Sequence, residues 1–567
     1  MKRFFTLIFM VTLVNVQALE LGARINQLGY GEKAKKILVY KNTDAANVEF
    51  RDLMTDKVVL TVPFSPAATW EYSGESVRKA DFSAITKPGL YAAYVNGTRI
   101  SDNIFVRNNV YEDLLKASLK WFYYQRAGIA LAPEFAGKWA RAAGHPDTAV
   151  YFLPESEKPE GWKISSPKGW YDAGDYGKYI VNSGISVFTL LNFYERFEAQ
   201  LKKLSLNIPE SKSRVPDILE EVRWNLDWML TMQDPADGGV YHKLTTARFC
   251  GKVMPADDTA KRYVVMKTTP ATLDFAAVMA QASRIYKPFD PKFSERALKA
   301  AEKAFEWAVK NPLVLFKQPE GMNTGQYNPD DEDTLDEKLW AATELYISTK
   351  KKVYADWIDS LPFNSHVPWW GNVNFLAVYR LAEAKNGFKK DITKAAQDTM
   401  LTLANHLRDI ADKSAYGLPI IPWNFVWGSN STIANNGIVL LHAYYLTKDK
   451  SYLDAAQRTL DYILGANPLK ISYVTGYGNR TPMHPHHRPS EADGILEPVP
   501  GMLAGGPHDG GQDVGPNPWQ CKEYRKLGTP ALSYIDDWCS YASNEVAINW
   551  NAPLAYLAGA LHYLNNR

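Results

Sequence analysis

Residues 90–124 read LYAAYVNGTRISDNIFVRNNVYEDLLKASLKWFYY, and the pattern of apolar side chains changes within this stretch. Residues 90–95 are a strand-forming run, and Asn96-Gly97 is a hairpin-turn sequence because both residues tolerate positive φ. From Val110 onward, apolar residues recur at helical spacing. The stretch therefore predicts that a β module ends just before Val110 and that a helical part follows it.

The segment before this change, residues 19–108, holds further short runs of β-prone side chains. They are residues 37–40, 58–62 and 104–106, in addition to 90–95. Short strands at this spacing are typical of a small β-sandwich of about 85 to 90 residues. We therefore expect a β-sandwich over residues 19–108.

The rest of the chain, residues 109–567, reads as mainly α. About twelve apolar-periodic stretches predict amphipathic helices, and they start near Tyr111, Lys178, Val215, Ala271, Ser294, Leu335, Tyr354, Asn372, Ile392, Ile433, Tyr452 and Glu545. Long irregular loops are expected at 129–177, 234–267 and 466–544, and loops of such length are usually functional. An even number of amphipathic helices fits helical hairpins closed into a ring, whose loops at one end form a cleft, although periodicity alone does not prove closure.

The composition argues against binding to nucleic acid or to an anionic membrane. Charged residues make up 22% of the chain, the formal net charge is only +2, and no block of Lys and Arg stands out. The 17 Trp and 32 Tyr exceed what a core alone usually uses, so some rings are available to stack on flat sugar faces while most pack the core.

The first 18 residues resemble a signal peptide. Lys2 and Arg3 precede an apolar run, and the small residue Ala18 ends the segment. We therefore expect the chain to be secreted, with a mature protein that begins near Leu19.

Three cysteines, Cys250, Cys521 and Cys539, allow at most one internal disulfide. Cys521 and Cys539 are the closer pair and can bridge one loop in an exported protein. The three are too scattered for a Cys-rich zinc site.

Residues 169–177, GWYDAGDYG, place Asp172 and Asp175 three positions apart in a glycine-rich turn flanked by rings. Glycines let the backbone turn sharply and approach a ligand. Two close carboxylates raise each other's proton affinity unless hydrogen bonds or solvent keep both ionised, and one can hold a water that the other orients. The alternative is a structural Asp-Gly turn that caps the helix starting near Lys178.

A third carboxylate, Glu545, stands at the mouth of the last apolar stretch, directly after residues 534–544, YIDDWCSYASN. A carboxyl beside Trp and Tyr is partly desolvated, which raises its pKa and suits it to donate a proton. The alternative is a glutamate favoured at a helix N-terminus by the helix dipole.

Residues 484–488, HPHHR, place three histidines within four positions, followed by an arginine. Such a group can bind a metal. It can also bind sugar hydroxyls or a catalytic carboxylate, because His and Arg are hydrogen-bond donors. No cysteine lies near, so we favour the second interpretation. With the carboxylates, these residues supply what hydrolysis of a carbohydrate requires: an acid, a base or nucleophile, and groups that hold the sugar.

Over nearly the whole mature chain the sequence resembles glycoside hydrolase family 9, the endoglucanases with an (α/α)6 barrel. The histidine signature of that family is matched by Ser472, Val474, Thr475, Gly478, Arg480, Pro485, His486, His487 and Arg488. Its acidic signature is matched by Tyr534, Asp536, Tyr541, Glu545, Ala547, Asn551 and Ala552. The turn at 172–175 is a third mark, and residues 24–30, RINQLGY, resemble the immunoglobulin-like module that precedes the barrel in one branch.

The resemblance implies an inverting mechanism for a β-1,4-glucanase. Asp175 is then the base that activates the attacking water, Asp172 helps to hold that water, and Glu545 protonates the leaving oxygen. Asp536 and His486 are expected to complete the catalytic group.

The same resemblance implies a set of substrate contacts. Arg488 and Tyr541, together with Asp536 and His486, are expected to hold the sugar and tune the carboxylates. Trp423 and Trp427 are expected to line the cleft, although core packing is an equal alternative for one of them.

Relatives with the N-terminal module often carry zinc on two Cys and two His, but Gly144-His145 stands here where a Cys-His pair is expected, so we expect no zinc. Calcium stays open. Residues 330–337, DDEDTLDE, resemble the calcium loop of the family, with Asp333, Asp336 and Glu337 as the candidate ligands. The alternative is a solvated acidic helix start. No cofactor is expected to take part in the chemistry.

The sequence thus predicts a secreted, monomeric endo-β-1,4-glucanase that acts on cellulose and related β-glucans. Two alternatives stay open. One is an exo-acting β-glucosidase or glucosaminidase of the same family, which would differ in cleft shape. The other is an inactive polysaccharide-binding protein, which should lack one carboxylate of the pair, whereas this chain keeps both.

Overall fold

The structure is a computed structural model that describes residues 21–565 apart from residues 42, 154, 155, 157, 160 and 330–332. A β domain at the N-terminal side is followed by a larger, mainly helical domain. The predicted signal peptide lies outside the described residues, as do the first three residues of the predicted calcium loop.

The N-terminal domain is built from eight strands in two antiparallel sheets. The strands are β1 (Ile37–Lys41), β2 (Asn47–Asp52), β3 (Lys57–Pro63), β4 (Ala68–Trp70), β5 (Glu75–Asp81), β6 (Gly89–Val95), β7 (Thr98–Arg99) and β8 (Ile104–Val106). One sheet has the order β1-β5-β4, and the other has the order β3-β2-β6-β7 with β8 beside β6. Leu38 from the first sheet and Phe50 from the second lie in one buried apolar cluster, so the sheets pack face to face as a sandwich.

The four predicted strands correspond to β1, β3, β6 and β8, and the predicted hairpin joins β6 to β7. Asn96 and Gly97 have φ values of 49° and 79°, as that turn requires. Strands β2, β4 and β5 were not predicted; β4 has only three residues, and β2 and β5 lack a clear strand pattern. Their sequences, NVEFRD and ESVRKAD, are rich in Glu, Asp, Lys and Arg, most of which are poor strand formers, so the short alternation with apolar residues was hidden.

Sixteen helices follow within the described residues. They are α1 (Glu112–Tyr124), α2 (Pro133–Ala136), α3 (Ile180–Arg196), α4 (Glu198–Leu201), α5 (Asp217–Thr231), α6 (Thr269–Tyr286), α7 (Pro291–Lys310), α8 (Leu335–Thr349), α9 (Lys352–Ser360), α10 (Asn374–Leu381), α11 (Lys390–Lys413), α12 (Ser429–Thr447), α13 (Lys450–Ile463), α14 (Arg488–Ala492), α15 (Tyr541–Asn544) and α16 (Ile548–Asn565). Twelve of these are the long helices that the periodicity predicted, and each starts within four residues of its predicted position.

The long helices divide into an inner and an outer set. The inner helices α3, α6, α8, α10, α12 and α16 are buried around most of their circumference. The outer helices α1, α5, α7, α9, α11 and α13 bury a single apolar stripe. Contacts run from α3 through α6 and α8 to α10, and from α12 through α16 back to α3, while α11 touches both α10 and α12. This arrangement is consistent with the predicted (α/α)6 barrel.

Two of the loops predicted to be irregular contribute a small sheet. Its strands, in spatial order, are β10 (Lys163–Ile164), β9 (Val150–Phe152), β13 (Arg262–Val264), β12 (Lys243–Thr246) and β11 (Lys178–Tyr179). Strands of two to four residues are too short to show alternation in a sequence. The prediction of irregular structure at 129–177 and 234–267 was therefore wrong in part. The sheet matters for the site because β11 directly follows the turn that carries Asp172 and Asp175.

The β domain is joined to the helical domain by buried polar contacts. The Asn26 side-chain amide donates to the Tyr111 hydroxyl at 3.0 Å and to Asp461 at 2.9 Å. The Tyr416 hydroxyl donates to Glu75 at 2.5 Å. Buried hydrogen bonds of this kind need a defined geometry, so they fix the orientation of the two domains.

Cys521 and Cys539 form a disulfide with a Cα–Cα distance of 5.1 Å, as their proximity in sequence suggested, and Cys250 is free. In the described part of the chain, no helix combines the length and the apolar character needed to span a bilayer.

Candidate active site

The turn at residues 172–175, called the Asp turn below, lies between the end of α1 and the start of α3. Its backbone is closed by a hydrogen bond from Asp172 N to Gly177 O at 3.0 Å. The Asp172 carbonyl also accepts from Ile548 N, the first residue of α16, at 2.8 Å. The Asp turn is thus connected to the helix that directly follows Glu545.

Asp172 is buried, and both oxygens of its carboxyl accept hydrogen bonds from neutral donors. The Asn182 amide donates to Oδ1 at 2.6 Å, and the Tyr327 hydroxyl donates to Oδ2 at 2.5 Å. Burial and the nearby charge of Asp175 raise the pKa of Asp172, and these two hydrogen bonds oppose the shift. The pair therefore holds a proton more readily than two isolated aspartates.

Asp175 lies at the open side of the turn and is 6% exposed. Its Oδ2 accepts from Gly177 N at 2.9 Å and from the Tyr179 hydroxyl at 3.4 Å. In the described part of the chain it forms no salt bridge. Neutral donors therefore orient this carboxyl, and its position at the open side of the turn is one where a general base can reach a water.

Gly174, between the two aspartates, contacts residues 484–488, called the histidine segment below. A Cβ atom at this position would lie 1.9 Å from the His486 carbonyl oxygen, so only glycine fits. The Gly174 carbonyl accepts from Arg488 N at 3.2 Å and from Arg488 Nη1 at 2.7 Å. Two motifs that lie three hundred residues apart in sequence are therefore in direct contact.

The three histidines point to different partners and do not form a metal site. His484 is exposed and lies 3.4 Å from Glu491. His487 is buried in the scaffold between Ser490 and Gln125, at 2.9 and 3.1 Å. The geometry of the histidine segment therefore does not support the interpretation as a metal site.

His486 is the histidine nearest the carboxylates. Its Nδ1 donates to the Trp538 carbonyl at 2.6 Å, and its ring stacks on that of Trp538 at 4.1 Å. Burial and the charge of Arg488 lower the pKa of His486 to about 3. The ring is therefore neutral, and Nε2 carries the free lone pair, able to accept from a hydroxyl.

Arg488 is buried and oriented by backbone carbonyls rather than by a carboxylate. Besides its bonds to Gly174, its Nε donates to the Cys250 carbonyl at 3.0 Å. The guanidinium lies between the rings of Phe249 and Trp538, at 5.6 and 5.7 Å. These contacts fix the positive charge beside the Asp turn and opposite Glu545, whose pKa it lowers in part.

Glu545 follows α15 and pairs with His486 in a short β-bridge. Its carbonyl accepts from Gly505 N at 2.8 Å, which fixes the backbone at that point. Burial and the charge of Asp175 together raise the pKa of Glu545 well above its usual range, against the opposing effect of Arg488. A carboxyl with a raised pKa keeps its proton to higher pH than an ordinary glutamate, which suits it to act as a general acid.

Asp536 has both carboxylate oxygens engaged in supporting the histidine segment. It accepts from Met483 N at 2.7 Å, from His484 N at 2.9 Å and from the Asn544 amide at 3.1 Å. These contacts are those of a positioning residue, which links the backbone before His486 to the backbone before Glu545. A direct sugar contact of Asp536 stays a prediction.

Tyr541 and Trp427 pack together near His486, and Trp423 is an exposed residue of the turn at residues 422–424. The Tyr541 hydroxyl donates to the Gln512 carbonyl, and its ring packs against Trp427 at 5.2 Å. Trp427 is 42% exposed and Trp423 is 81% exposed, so neither is a core residue. Rings with this exposure are available for sugar stacking, which stays a prediction for both.

The sequence analysis missed the residues that orient the Asp turn from outside the motifs, namely Asn182, Tyr179 and Tyr327. Tyr327 comes from the loop before α8 and adopts a φ of 51°. Asn182 sits in the first turn of α3, whose other residues are mostly apolar. A polar amide in a buried helix turn was a usable signal, but nothing in the sequence near Tyr327 indicates an aspartate 155 positions away.

Among the described residues, no three His, Cys, Asp or Glu side chains are grouped to hold a metal ion, either at the predicted calcium loop or at the position where relatives often carry zinc. At the position where zinc was considered, His145 contacts the Tyr171 hydroxyl at 2.8 Å and Asp258 at 3.3 Å. A Cβ at Gly144 would lie 2.3 Å from the Pro255 backbone, so a cysteine does not fit there. The residues present do not suit zinc.

At the predicted calcium loop, Asp333 accepts from Leu335 N at 2.9 Å and Asp336 accepts from Val373 N at 2.7 Å. Glu337 is buried, and its Oε2 has no hydrogen-bond partner among the described residues. The three side chains do not converge on one point within the described part, and the neighbouring residues 330–332 are outside it. Calcium binding stays a prediction.

Comparison with known proteins identifies the family. Residues 111–558 match glycosyl hydrolase family 9, and residues 22–99 match the cellulase N-terminal ig-like domain. The chain is 41% identical over 565 residues to the xyloglucan-specific endo-β-1,4-glucanase BoGH9A of Bacteroides ovatus, covering 95% of this chain and 94% of the relative.

Two further comparisons agree. Endoglucanase D of Acetivibrio thermocellus is 32% identical, with 95% of this chain and 83% of the relative covered. The solved structure of Bacteroides ovatus GH9 superposes with a TM-score of 0.89 at 39% identity, covering 96% of this chain and 100% of that one. The chain therefore belongs to glycosyl hydrolase family 9, and its N-terminal part matches the ig-like domain found in cellulases.

Proposed function

We propose that this chain is a secreted, inverting endo-β-1,4-glucanase in which Asp175 is the base and Glu545 is the acid. The observation that carries the proposal is the convergence of three distant segments on Gly174. Gly174 of the Asp turn contacts the histidine segment, and His486 of that segment pairs with Glu545, so backbone contacts bring Asp175 and Glu545 to one site.

The proposed role of the Asp turn is to activate water. Asp175 takes a proton from a water molecule while the oxygen of that water attacks the anomeric carbon. Asp172, fixed by Asn182 and Tyr327, accepts the second hydrogen bond of the water and keeps its oxygen aimed at the sugar. A second carboxylate beside the base has no obvious use next to a nucleophile that attacks directly.

The proposed role of Glu545 is to protonate the leaving group. Its proton passes to the glycosidic oxygen as the bond between that oxygen and the anomeric carbon breaks. Asp175 ends with the proton of the water and Glu545 ends ionised, and exchange with solvent restores both. Because water attacks the face opposite the leaving group, the configuration at the anomeric carbon is inverted.

The substrate is proposed to be a β-1,4-glucan chain, with xyloglucan and cellulose as the two leading forms. The exposed rings of Trp423 and Trp427 support a polysaccharide substrate, since they offer flat apolar surfaces, and Trp427 packs on Tyr541 near His486. Xyloglucan is favoured by the specificity of the 41% identical relative, a xyloglucan-specific endo-β-1,4-glucanase. Cellulose is favoured by the names of the other endoglucanases that the chain resembles.

Secretion is supported by two features of different kinds. Residues 1–18 have the pattern of a signal peptide. The disulfide between Cys521 and Cys539 is of the type that persists in oxidising compartments. Expression with the native N-terminus, followed by N-terminal sequencing of exported protein, tests this part; a mature protein that still begins at Met1 would contradict it.

The activity is tested by product analysis on xyloglucan, cellulose, mixed-linkage glucan, cello-oligosaccharides and chitosan. An endo-acting enzyme lowers the viscosity of a soluble glucan early, while few reducing ends have formed. Release of single glucose units without a fall in viscosity would favour an exo-acting glucosidase instead. Binding of glucan without any product would favour the inactive binding protein.

A further inference from the structure

Lys243 is a fully buried lysine in the strand that pairs with the residues following the Asp turn. It lies on β12, and its backbone register partner on β11 is Tyr179. Its Nζ donates to Gln318 Oε1 at 3.0 Å, to Thr324 Oγ1 at 3.1 Å and to the Gly325 carbonyl at 2.6 Å. All three acceptors belong to one loop, residues 316–328, called the clamp loop below.

The clamp loop is connected by hydrogen bonds to both aspartates of the Asp turn, to Asp172 directly and to Asp175 through the Tyr179 hydroxyl. At one end Tyr327 donates to Asp172. Beside Lys243, Gly325 N donates to the Tyr179 hydroxyl at 3.2 Å, and that hydroxyl donates to Asp175 at 3.4 Å. The segment that Lys243 holds is thus the segment that orients the proposed base and its neighbour.

The buried ammonium of Lys243 has a free-energy cost, and its hydrogen bonds have a structural effect. Burial of a charged amine is unfavourable, and here it lowers the pKa of Lys243 to about 7, an effect that the charge of Asp175 opposes. In the described part of the chain Lys243 forms no salt bridge, so its desolvation is offset by hydrogen bonds to the clamp loop. An apolar side chain of the same length would fill the space without that cost but would leave three acceptors unpaired.

Other contacts also hold the clamp loop, so loss of Lys243 should loosen it rather than unfold it. Asn328 exchanges two hydrogen bonds with the Phe316 backbone, each at 3.0 Å. The His242 ring stacks on Phe316 at 4.6 Å. The His242 Nε2 also donates to the Gln326 carbonyl at 2.5 Å, next to Tyr327, and Lys243 is the side chain that binds the Gly325 carbonyl.

We propose that Lys243 is a positioning residue for catalysis, which holds the clamp loop so that Tyr327 and Tyr179 keep Asp172 and Asp175 aligned. The proposal rests on the proposed function, because it assigns its effect to water activation by the Asp turn. Lys243 has no direct role in proton transfer and is not expected to contact the glucan.

The first test compares Lys243→Met with Lys36→Met. Lys36 is a matched control in the β domain, since it is equally buried and donates to the carbonyls of Glu32 and Ala34 at 2.8 and 3.0 Å. Lys243→Met is expected to lower kcat on a soluble glucan by about ten- to a hundredfold, with KM changed by less than about twofold. Lys36→Met is expected to lower the melting temperature and leave kcat unchanged.

The second test is a double-mutant cycle with Tyr327→Phe. If Lys243 acts through the clamp loop, its loss is expected to cost at least about threefold less in the Tyr327→Phe background than in the wild type. Effects on kcat that simply multiply would overturn the proposal, because a general loss of stability does not depend on Tyr327.

Thr324→Val is measured in parallel, since it removes one acceptor with little change of shape and stays informative if Lys243→Met does not fold. It is expected to lower kcat by about threefold. Unchanged kcat in every folded variant, with a wild type that hydrolyses glucan with inversion, would refute the role of Lys243 and leave the proposed function standing. A wild type that retains configuration would instead refute the proposed function.

Discussion

Two pairs of carboxylates, at opposite ends of the inner helices, differ in whether a cation is paired with them. At the N-terminal ends, Asp175 and Glu545 form no salt bridge in the described part of the chain. Near the C-terminal ends, Glu195 and Glu344 are paired with arginines: Arg380 lies 3.1 Å from Glu195 and 3.2 Å from Glu344. Of these four acids, only Glu195 and Glu344 are paired with cations among the described residues; beside the Asp turn the cations Lys178 and Arg262 pair with a different acid, Asp147.

The difference explains which carboxyls are able to exchange protons. Burial favours the neutral form of Glu195, but the charges of Arg380 and Arg284 outweigh it and lower the pKa of that carboxyl. Burial and the charge of Asp175 raise the pKa of Glu545, and Arg488 opposes them only in part. A paired cation lowers the pKa of a carboxyl and keeps it ionised. A nearby like charge raises the pKa, which allows the carboxyl to take part in acid–base chemistry.

The largest expected effect follows from removing a carboxyl at the N-terminal end. Asp175→Asn and Glu545→Gln should each lower kcat by about 10²- to 10⁴-fold, because each removes one partner of acid–base catalysis. The melting temperature should not fall, since neither carboxyl is paired with a cation. Circular dichroism and glucan hydrolysis measure the two properties, and a folded variant with near wild-type kcat would contradict the assignment.

Removing the charge of Glu344, near the C-terminal ends of the inner helices, should lower stability and leave kcat unchanged. Glu344→Gln leaves Arg380 without one of its charge partners in a buried position, and loss of one partner of a buried pair destabilises a protein by about 3–5 kcal/mol. Thermal or denaturant unfolding measures this loss. Well below the melting temperature kcat should match that of the wild type, and a selective loss of kcat would break the comparison.

The pH dependence of activity should reflect the raised pKa of Glu545. A general acid works only while protonated, so activity is present below the pKa of Glu545 and is lost as pH rises through it. Since the usual value for a glutamate is about 4.3, the basic limb of kcat/KM should lie clearly above that pH. Glu344→Gln serves as the control, and the basic limb of its kcat/KM profile should lie at the same pH as in the wild type. A basic limb at the usual glutamate value would contradict the geometry.

The smallest expected effect concerns Asp336 and Glu337, which lie at the N-terminal end of α8 without a salt bridge in the described residues. If they help to bind calcium, chelation should lower the melting temperature, because a ligand bound only by the native state stabilises it. Asp336→Asn should then lose the response to chelator. An unchanged melting curve after verified removal of metal would end the calcium hypothesis, and elemental analysis is expected to find no zinc.

Much of the fold could be predicted because its signals are local. Apolar periodicity located the twelve long helices, and Asn96-Gly97 marked a hairpin through its tolerance of positive φ. The small sheet at β9 to β13 could not be predicted, since its strands are too short for a pattern and are formed by pairing between distant loops.

The residues of the site also divide into those that a local sequence pattern predicts and those that depend on contacts between distant segments. Asp172, Asp175 and Glu545 stand in motifs whose composition suggests their chemistry. The contact between Gly174 and His486 and the bond from Tyr327 to Asp172 depend on how distant loops meet, which no local pattern encodes. The histidine segment shows the limit within a motif: His486 faces the site and His487 the scaffold, although the two are adjacent and chemically identical.

The central claim is that Asp175 acts through a water, and the configuration of the freshly released sugar tests it most directly. An inverting enzyme needs its two carboxyls roughly 6.5–9.5 Å apart, to fit a water, whereas a retaining enzyme has them about 5–5.5 Å apart. Proton NMR of a glucan digest, recorded before mutarotation, should therefore show the α-anomer first. Initial appearance of the β-anomer would contradict the assignment of Asp175 as the base.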